Sequence, residues 1–212
     1  MLVIFFINHG IFSGQAEHVF LRQLGYFRSG LHARLHRLAN GNAQPLCYAT
    51  PLPLRTVAHA ELAATRIDYA AYPTLAPAHV NALIAHAYRV CLHYRAFDAC
   101  YSAWLAHPAP HPAINRVIQH TLHALANSLQ RPADASHPLL NDGQQQRLDQ
   151  LTARLGRSAL DDVLPLTFTH EQAESHYLLL TALQQWVETL HTLQTQYHHG
   201  QFSVLRQSPF AL

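Results

Sequence analysis

Eighteen histidines are the first candidates for chemistry in this chain, because neutral imidazole binds zinc, copper and nickel and titrates near neutral pH. Spacing decides which of them could act together. His32 and His36 stand one helical turn apart and could hold a metal as a pair, yet no third ligand is identifiable from the sequence. His79, His86 and His93 repeat every seven residues, which lines them along one side of a helix at separations of roughly 10 Å. That is too far for one ion and suits polar contacts at a helix interface. The stretch from His170 to His176 contains the residue types of a metalloprotease helix, but its histidines are six apart instead of four. Six steps turn a helix by about 240°, so these imidazoles diverge. Glu171 fits the first turn of a helix, where the dipole favours an acid, and His198-His199 fit an exposed helix end.

A second constellation, Tyr88-Arg89, His93-Tyr94-Arg95, Phe97 and Tyr101-Ser102-Ala103-Trp104, could receive a small aromatic acid. Guanidinium groups bind carboxylates in a fork and aromatic rings cover the apolar remainder, so Arg89, His93, Tyr94 and Arg95 are the candidate ligand-binding residues. The competing expectation is structural: Arg95 and Asp98 can pair at i,i+3, while Tyr94 and Tyr101 have the spacing of a core stripe. No catalytic residue and no cofactor are expected. All 14 basic residues are Arg, which excludes a P-loop, a Schiff base and a lysine general base. No G-x-S-x-G elbow is present, and Cys47, Cys91 and Cys100 match no nucleophile or zinc spacing. Their odd number fits a reducing compartment. Nine steps place Cys91 and Cys100 on nearly opposite helix faces, so they are expected to be separate buried thiols.

Proline and glycine divide the 212 residues into about six helical segments with no alternating stretch that suggests a sheet, so the expected fold is an all-α bundle. The first helix is expected from Gln15 to Ala39, carrying Phe20, Leu24, Phe27, Leu31, Leu35 and Leu38. A loop from Asn42 to Pro53 separates it from a second helix, Leu54 to Ala71, with Val57, Leu62 and Ile67. The third, Pro77 to Leu105, reads as the centre of the core through Val80, Leu83, Ile84, Ala87, Val90, Cys91, Tyr94 and Tyr101. Prolines between His107 and Pro112 force a linker. The fourth helix spans Ala113 to Leu129. The fifth is capped by Asn141-Asp142 and runs through Leu155, with Gly156 opening a connection that contains Asp161, Asp162 and Pro165. Thr169-His170-Glu171-Gln172 matches a capping box for the sixth, whose stripe is His176, Leu180, Leu183, Val187, Leu190 and Gln194, broadened by Leu178, Leu179, Trp186 and Leu193.

The first forty residues begin with the apolar run Leu2-Val3-Ile4-Phe5-Phe6-Ile7, which stops at Asn8-His9-Gly10. A bilayer crossing needs roughly 20 apolar residues, so the run could only finish a span begun elsewhere. It lacks the flanking charge and cleavage site of a secretory signal. The expected organisation is an apolar N-terminal segment over residues 1–14, a helical cytoplasmic domain over 15–199 and a tail over 200–212. Residues 1–40 hold Arg22, Arg28, Arg34 and Arg37 against Glu17, whereas residues 131–212 are net acidic. A basic helix beside an apolar start suits an anionic cytoplasmic leaflet. Nucleic acid is not an expected partner, because the formal charge is only +2 and no nucleic-acid-binding signature is present.

The stretch Gln15-Ala16-Glu17-His18-Val19-Phe20-Leu21-Arg22-Gln23-Leu24-Gly25-Tyr26-Phe27-Arg28 carries Phe-Leu-Arg and Tyr-Phe-Arg patterns. It resembles the segment after the first membrane block in fusaric acid resistance proteins, within a wider family of bacterial aromatic-acid exporters. In that family, apolar membrane bundles alternate with long helical cytoplasmic regions. The resemblance implies that this chain corresponds to one such region, with the membrane bundle missing and no transport pathway of its own. Its implied role is an accessory, non-catalytic part of a fusaric acid efflux and detoxification system at the cytoplasmic face of the inner membrane. The implied partners are membrane exporter subunits, the inner-membrane surface reached through the Arg-rich first helix, and a small aromatic acid. No substrate residues transfer from the family. The alternative is a soluble histidine-rich metal-binding protein using His32 and His36, and a third reading is a helical regulator or scaffold.

Overall fold

The computed structural model describes residues 2–40, 54–106, 111–130, 138–160, 170–200, 202 and 205. Those residues form an all-α bundle of six α-helices with no strand. The expected loop from Asn42 to Pro53 with Cys47, most of the proline linker, Asp161, Asp162, Pro165, Thr169 of the expected capping box and residues 206–212 lie outside them. No helix among the described residues is long and apolar enough to cross a membrane.

Helix α1, Leu2–Ala39, is a rod of about 57 Å. It was expected to begin at Gln15 and instead takes in the apolar run. No proline precedes residue 45, so every amide can donate, and Gly10 and Gly14 lower helix propensity by about 1 kcal/mol each without breaking the ladder. Phe20, Phe27, Leu31, Leu35 and Leu38 are buried along one side, and Leu24 is partly buried. The rod ends where the Asn40 amide donates to the carbonyls of His36 and Arg37.

Helix α2 covers Leu54–Ala64 and stops short of the expected Ala71. Thr65 Oγ1 donates to the Leu62 carbonyl, and Asp68 Oδ1 accepts from the Ala70 amide to cap a 3-10 turn at Tyr69–Ala71. Short polar side chains that bond nearby backbone draw it out of the helix, and here they do so twice. Val57 and Ile67 are buried as expected, while Leu62 is exposed.

Helix α3, Pro77–Leu105, has the expected bounds, begins with proline in its first turn and buries every apolar residue foreseen for it. Helix α4 is Pro112–Gln130 and α5 is Asp142–Leu160. The cap of α5 is reciprocal: Asn141 Oδ1 accepts from the Gln144 amide at 2.9 Å and Gln144 Oε1 accepts from the Asn141 amide at 3.1 Å. Gly156, expected to end this helix, lies inside it. A Cβ there would come within 2.9 Å of the Tyr177 ring, so this glycine serves the approach of two helices. Helix α6, His170–His199, buries Leu179, Leu180, Leu183, Trp186, Val187 and Leu190, while Leu178 turns to solvent.

Helix α1 packs on α2 and α4, α3 packs along α6, and α5 covers α6 from the other side. The space between holds an aromatic ladder in which Trp186 lies against Tyr94 and Phe97, and Phe97, Tyr101 and Trp104 stack in turn. Phe202 and Leu205, in the segment read from sequence as a tail, are 1% and 2% exposed. Phe202 lies over Gly200 and stacks on Tyr197 at 5.6 Å.

Candidate functional site

The four residues expected to converge on an aromatic acid do not share a face. Arg89 and Arg95 are exposed on α3, whereas Tyr94 points into the core. His93 is half-buried and turns toward α6, where its Nδ1 lies 2.8 Å from Thr189 Oγ1 and 3.2 Å from the Gln185 carbonyl. Thr189 donates its own proton to that same carbonyl, so the shared acceptors require the proton on His93 Nδ1. This histidine ties two helices, as its heptad spacing suggested. His86 is half-buried and His79 exposed.

Asp98 does not take up Arg95. It is 5% exposed and accepts instead from the Tyr94 hydroxyl at 3.3 Å through Oδ1. Arg34 reaches this point from α1, with Nη1 3.4 Å from the Tyr94 oxygen and its guanidinium carbon 5.5 Å from the ring centroid. One turn toward the N-terminus, burial pushes the Cys91 thiol up to about 11. Tyr101, one turn toward the C-terminus, accepts from Gln119 of α4 at 2.9 Å. A polar seam therefore runs between α1, α3 and α4 through an otherwise apolar core. The 91, 94, 98 and 101 spacing carried this signal in the sequence, since it places Asp98 on the buried stripe; its partner on α1 had none.

His32 and His36 do lie together on α1, with ring centroids 6.2 Å apart. His36 Nδ1 is 3.1 Å from the Asn40 side-chain Nδ2, while His32 Nε2 is buried without a hydrogen-bond partner. Among the described residues no group of three His, Cys, Asp or Glu side chains could hold a metal ion.

A cleft of about 580 Å³ opens between residues 138–140, α5 and α6. Leu139, Leu140 and Val187 form its apolar part, and Asp142, Asp149 and Glu188 contribute carboxylates. Asp149 Oδ1 already accepts from Gln145 at 2.9 Å and from Gln184 at 2.6 Å. With His191 as the basic side chain in its lining, this cleft disfavours a carboxylate ligand on charge. Neither it nor the α3 constellation offers the guanidinium fork that an aromatic acid needs. Comparison of the chain with models of protein families, with curated proteins and with solved structures returns no match.

Proposed function

We propose that this chain is a non-catalytic helical component of a bacterial system that confers resistance to fusaric acid or a related aromatic carboxylic acid. In this reading it works at the cytoplasmic face of the inner membrane, beside membrane exporter subunits. The observation that supports it is α1. The apolar run and the exporter-like residues 15–28 belong to one unbroken helix, so a chain leaving a membrane block would pass straight into the bundle. Arg22 and Arg37 remain exposed on that helix, where each could gain about 1 kcal/mol from an anionic leaflet. Arg28 and Arg34 are spent inside: Arg28 Nε donates to the Leu129 carbonyl at 2.8 Å and Arg34 lies on Tyr94. The aromatic acid belongs to the exporter subunits rather than to this chain's clefts.

Deleting the gene from a resistant bacterium and measuring growth in fusaric acid tests the proposal; tolerance should fall, and unchanged tolerance refutes it. Membrane fractions should retain the protein and release it when Arg22 and Arg37 are both changed to Gln and exporter subunits are absent. A second reading, metal binding, draws on the adjacent His32 and His36 and the unpartnered His32 Nε2. Titration of purified protein with zinc, copper or nickel should show stoichiometric binding lost in His32→Ala, and no binding at micromolar metal dismisses it.

A further inference from the structure

Helices α1 and α4 pack together and carry one carboxylate between them, Glu17, which is 2% exposed. Their exposed charge is therefore all basic. Arg22, His36 and Arg37 stand exposed on α1, and Arg116, His120 and His123 on α4. The three on α4 lie opposite its buried stripe of Ile114, Ile118, Leu122 and Leu125, and steps of four and three put them on one face. Two hydrogen bonds set the register of the pair: Arg28 Nε donates to the Leu129 carbonyl at 2.8 Å, and Gln119 Nε2 donates to the Leu38 carbonyl at 3.4 Å. Residue 28 thus stands beside 129 and 38 beside 119, so the helices run antiparallel and His36 comes level with the turn that holds His120 and His123. Steps of four carry Arg28, His32 and His36 along the α4 side of α1. Four histidines and Arg116 therefore gather along one two-helix face. Among the described residues no three His, Cys, Asp or Glu side chains could hold a metal ion, so what the group offers is charge. The carboxylates of the helices packed on α1 and α4 look elsewhere. Glu61 of α2 accepts from the Tyr88 hydroxyl of α3 at 2.6 Å, and Asp142, Asp149 and Glu188 line the cleft between α5 and α6. Glu171 and Glu174 stand exposed in the first turns of α6.

We propose that the α1–α4 face docks on an anionic bilayer surface and that its histidines tighten the docking as pH falls. An imidazole gains a positive charge between about pH 8 and pH 5. Protonation of His36, His120 and His123 adds to the permanent charges of Arg22, Arg37 and Arg116 on the same face, and each charge near an anionic leaflet strengthens binding by about fivefold. Like charges at these spacings resist protonation in water, and anionic headgroups relieve that repulsion, so docking and proton uptake favour one another. The Asn40 side chain beside His36 Nδ1 can present its oxygen once the ring is charged. A bilayer fits this face better than a nucleic acid. The same helix begins with the apolar run Leu2 to Ile7, and it exposes Tyr26, 56% accessible, one turn after Arg22, the pairing of aromatic and basic side chains found where helices meet the headgroup region. The docking rests on the membrane-surface part of the proposed function and adds a pH dependence to it.

Co-sedimentation of the full chain with phosphatidylcholine vesicles containing about one-third phosphatidylglycerol, at about pH 5.5 and about pH 7.5 and constant ionic strength, tests the docking. Binding should be on the order of tenfold tighter at the lower pH and far weaker on phosphatidylcholine alone. His36→Gln, His120→Gln and His123→Gln combined should bring the ratio between the two pH values most of the way to one. The same change at His59, His79 and His191, exposed on α2, α3 and α6, should leave it. Arg116→Gln should weaken binding by about fivefold at both pH values. Equal binding at the two pH values overturns the proposal while leaving the arginine-mediated membrane reading in place, and so does a ratio that the two triple variants change alike. Binding unmoved by Arg116→Gln overturns it as well, since α4 then takes no part. Absence of vesicle binding at both pH values removes the proposal and the membrane reading together. Tighter binding to duplex DNA than to the anionic vesicles at the same salt gives the face to nucleic acid and also overturns it. All six histidines are exposed, so both triple variants should keep the unfolding midpoint of the parent chain in urea.

Discussion

Glu17 and Asp98 are 2% and 5% exposed, and each has one oxygen without a donor. Burial raises Glu17 above its ordinary 4.5 against backbone hydrogen bonds at Glu17 and Asp68, and the nearby Asp68 carboxylate raises it further. Both groups hold protons more tightly folded than unfolded, so stability is full below the unfolded values of 4.5 and 3.8. It falls as pH rises through the raised folded values. Urea titrations at several pH values should show that decline, and Glu17→Gln should flatten it; a stability that rises over the same window contradicts the burial account. The thiols differ in kind, since Cys91 is buried and pushed up to about 11 while Cys100 is half-buried. Alkylation of the folded protein at neutral pH should therefore reach Cys100 well before Cys91, as peptide mapping would show. At this scale the heptad spacing of His93 pointed to the interhelical tie that it makes, whereas Arg95 and Asp98 do not form the pair that their spacing allows. An i,i+3 spacing reports proximity along one helix but not that the carboxylate turns inward to the Tyr94 hydroxyl, which Arg34 of another helix also reaches.

Glycine has opposite meanings in different helices. At Gly25 and Gly30 of α1 a Cβ would meet nothing within 4 Å, so each change to Ala should stabilise by about 0.5–1 kcal/mol in denaturant unfolding. At Gly156 the added carbon would press on Tyr177, and Gly156→Ala should give a smaller gain than Gly25→Ala or a loss. Equal gains at both would show that the α5–α6 approach does not depend on the missing side chain. Asn141→Ala removes half of the reciprocal cap on α5 and should cost about 1 kcal/mol. Helix existence and the bounds of α3 were legible because proline marks them covalently. The early end of α2 was not, since it depends on Thr65 and Asp68 bonding nearby backbone, nor was the start of α1, because Gly10 and Gly14 lower helix propensity without breaking the ladder.

Across the whole molecule the surprise is the C-terminal segment. Phe202 is 1% exposed, stacked on Tyr197 of α6 and with its ring centroid 6.1 Å from that of Phe20 of α1, so it bridges the C-terminal end of α6 to α1. Phe202→Ala should cost about 3–5 kcal/mol, the range for a buried aromatic truncated in a core. A change below 1 kcal/mol in urea unfolding would return the segment to the status of a tail. By itself the sequence determined the helical class, the apolar stripe of α3 and the absence of lysine chemistry, because periodicity and residue type act within one segment. Only the tertiary structure decided that Arg89 and Arg95 face solvent and that Arg34 joins Tyr94 and Asp98. It also decided that carboxylates gather at the α5–α6 cleft and that Phe202 belongs to the core. Each of those depends on how distant helices rotate and approach, which is set by the sum of many contacts and written in no single stretch of chain.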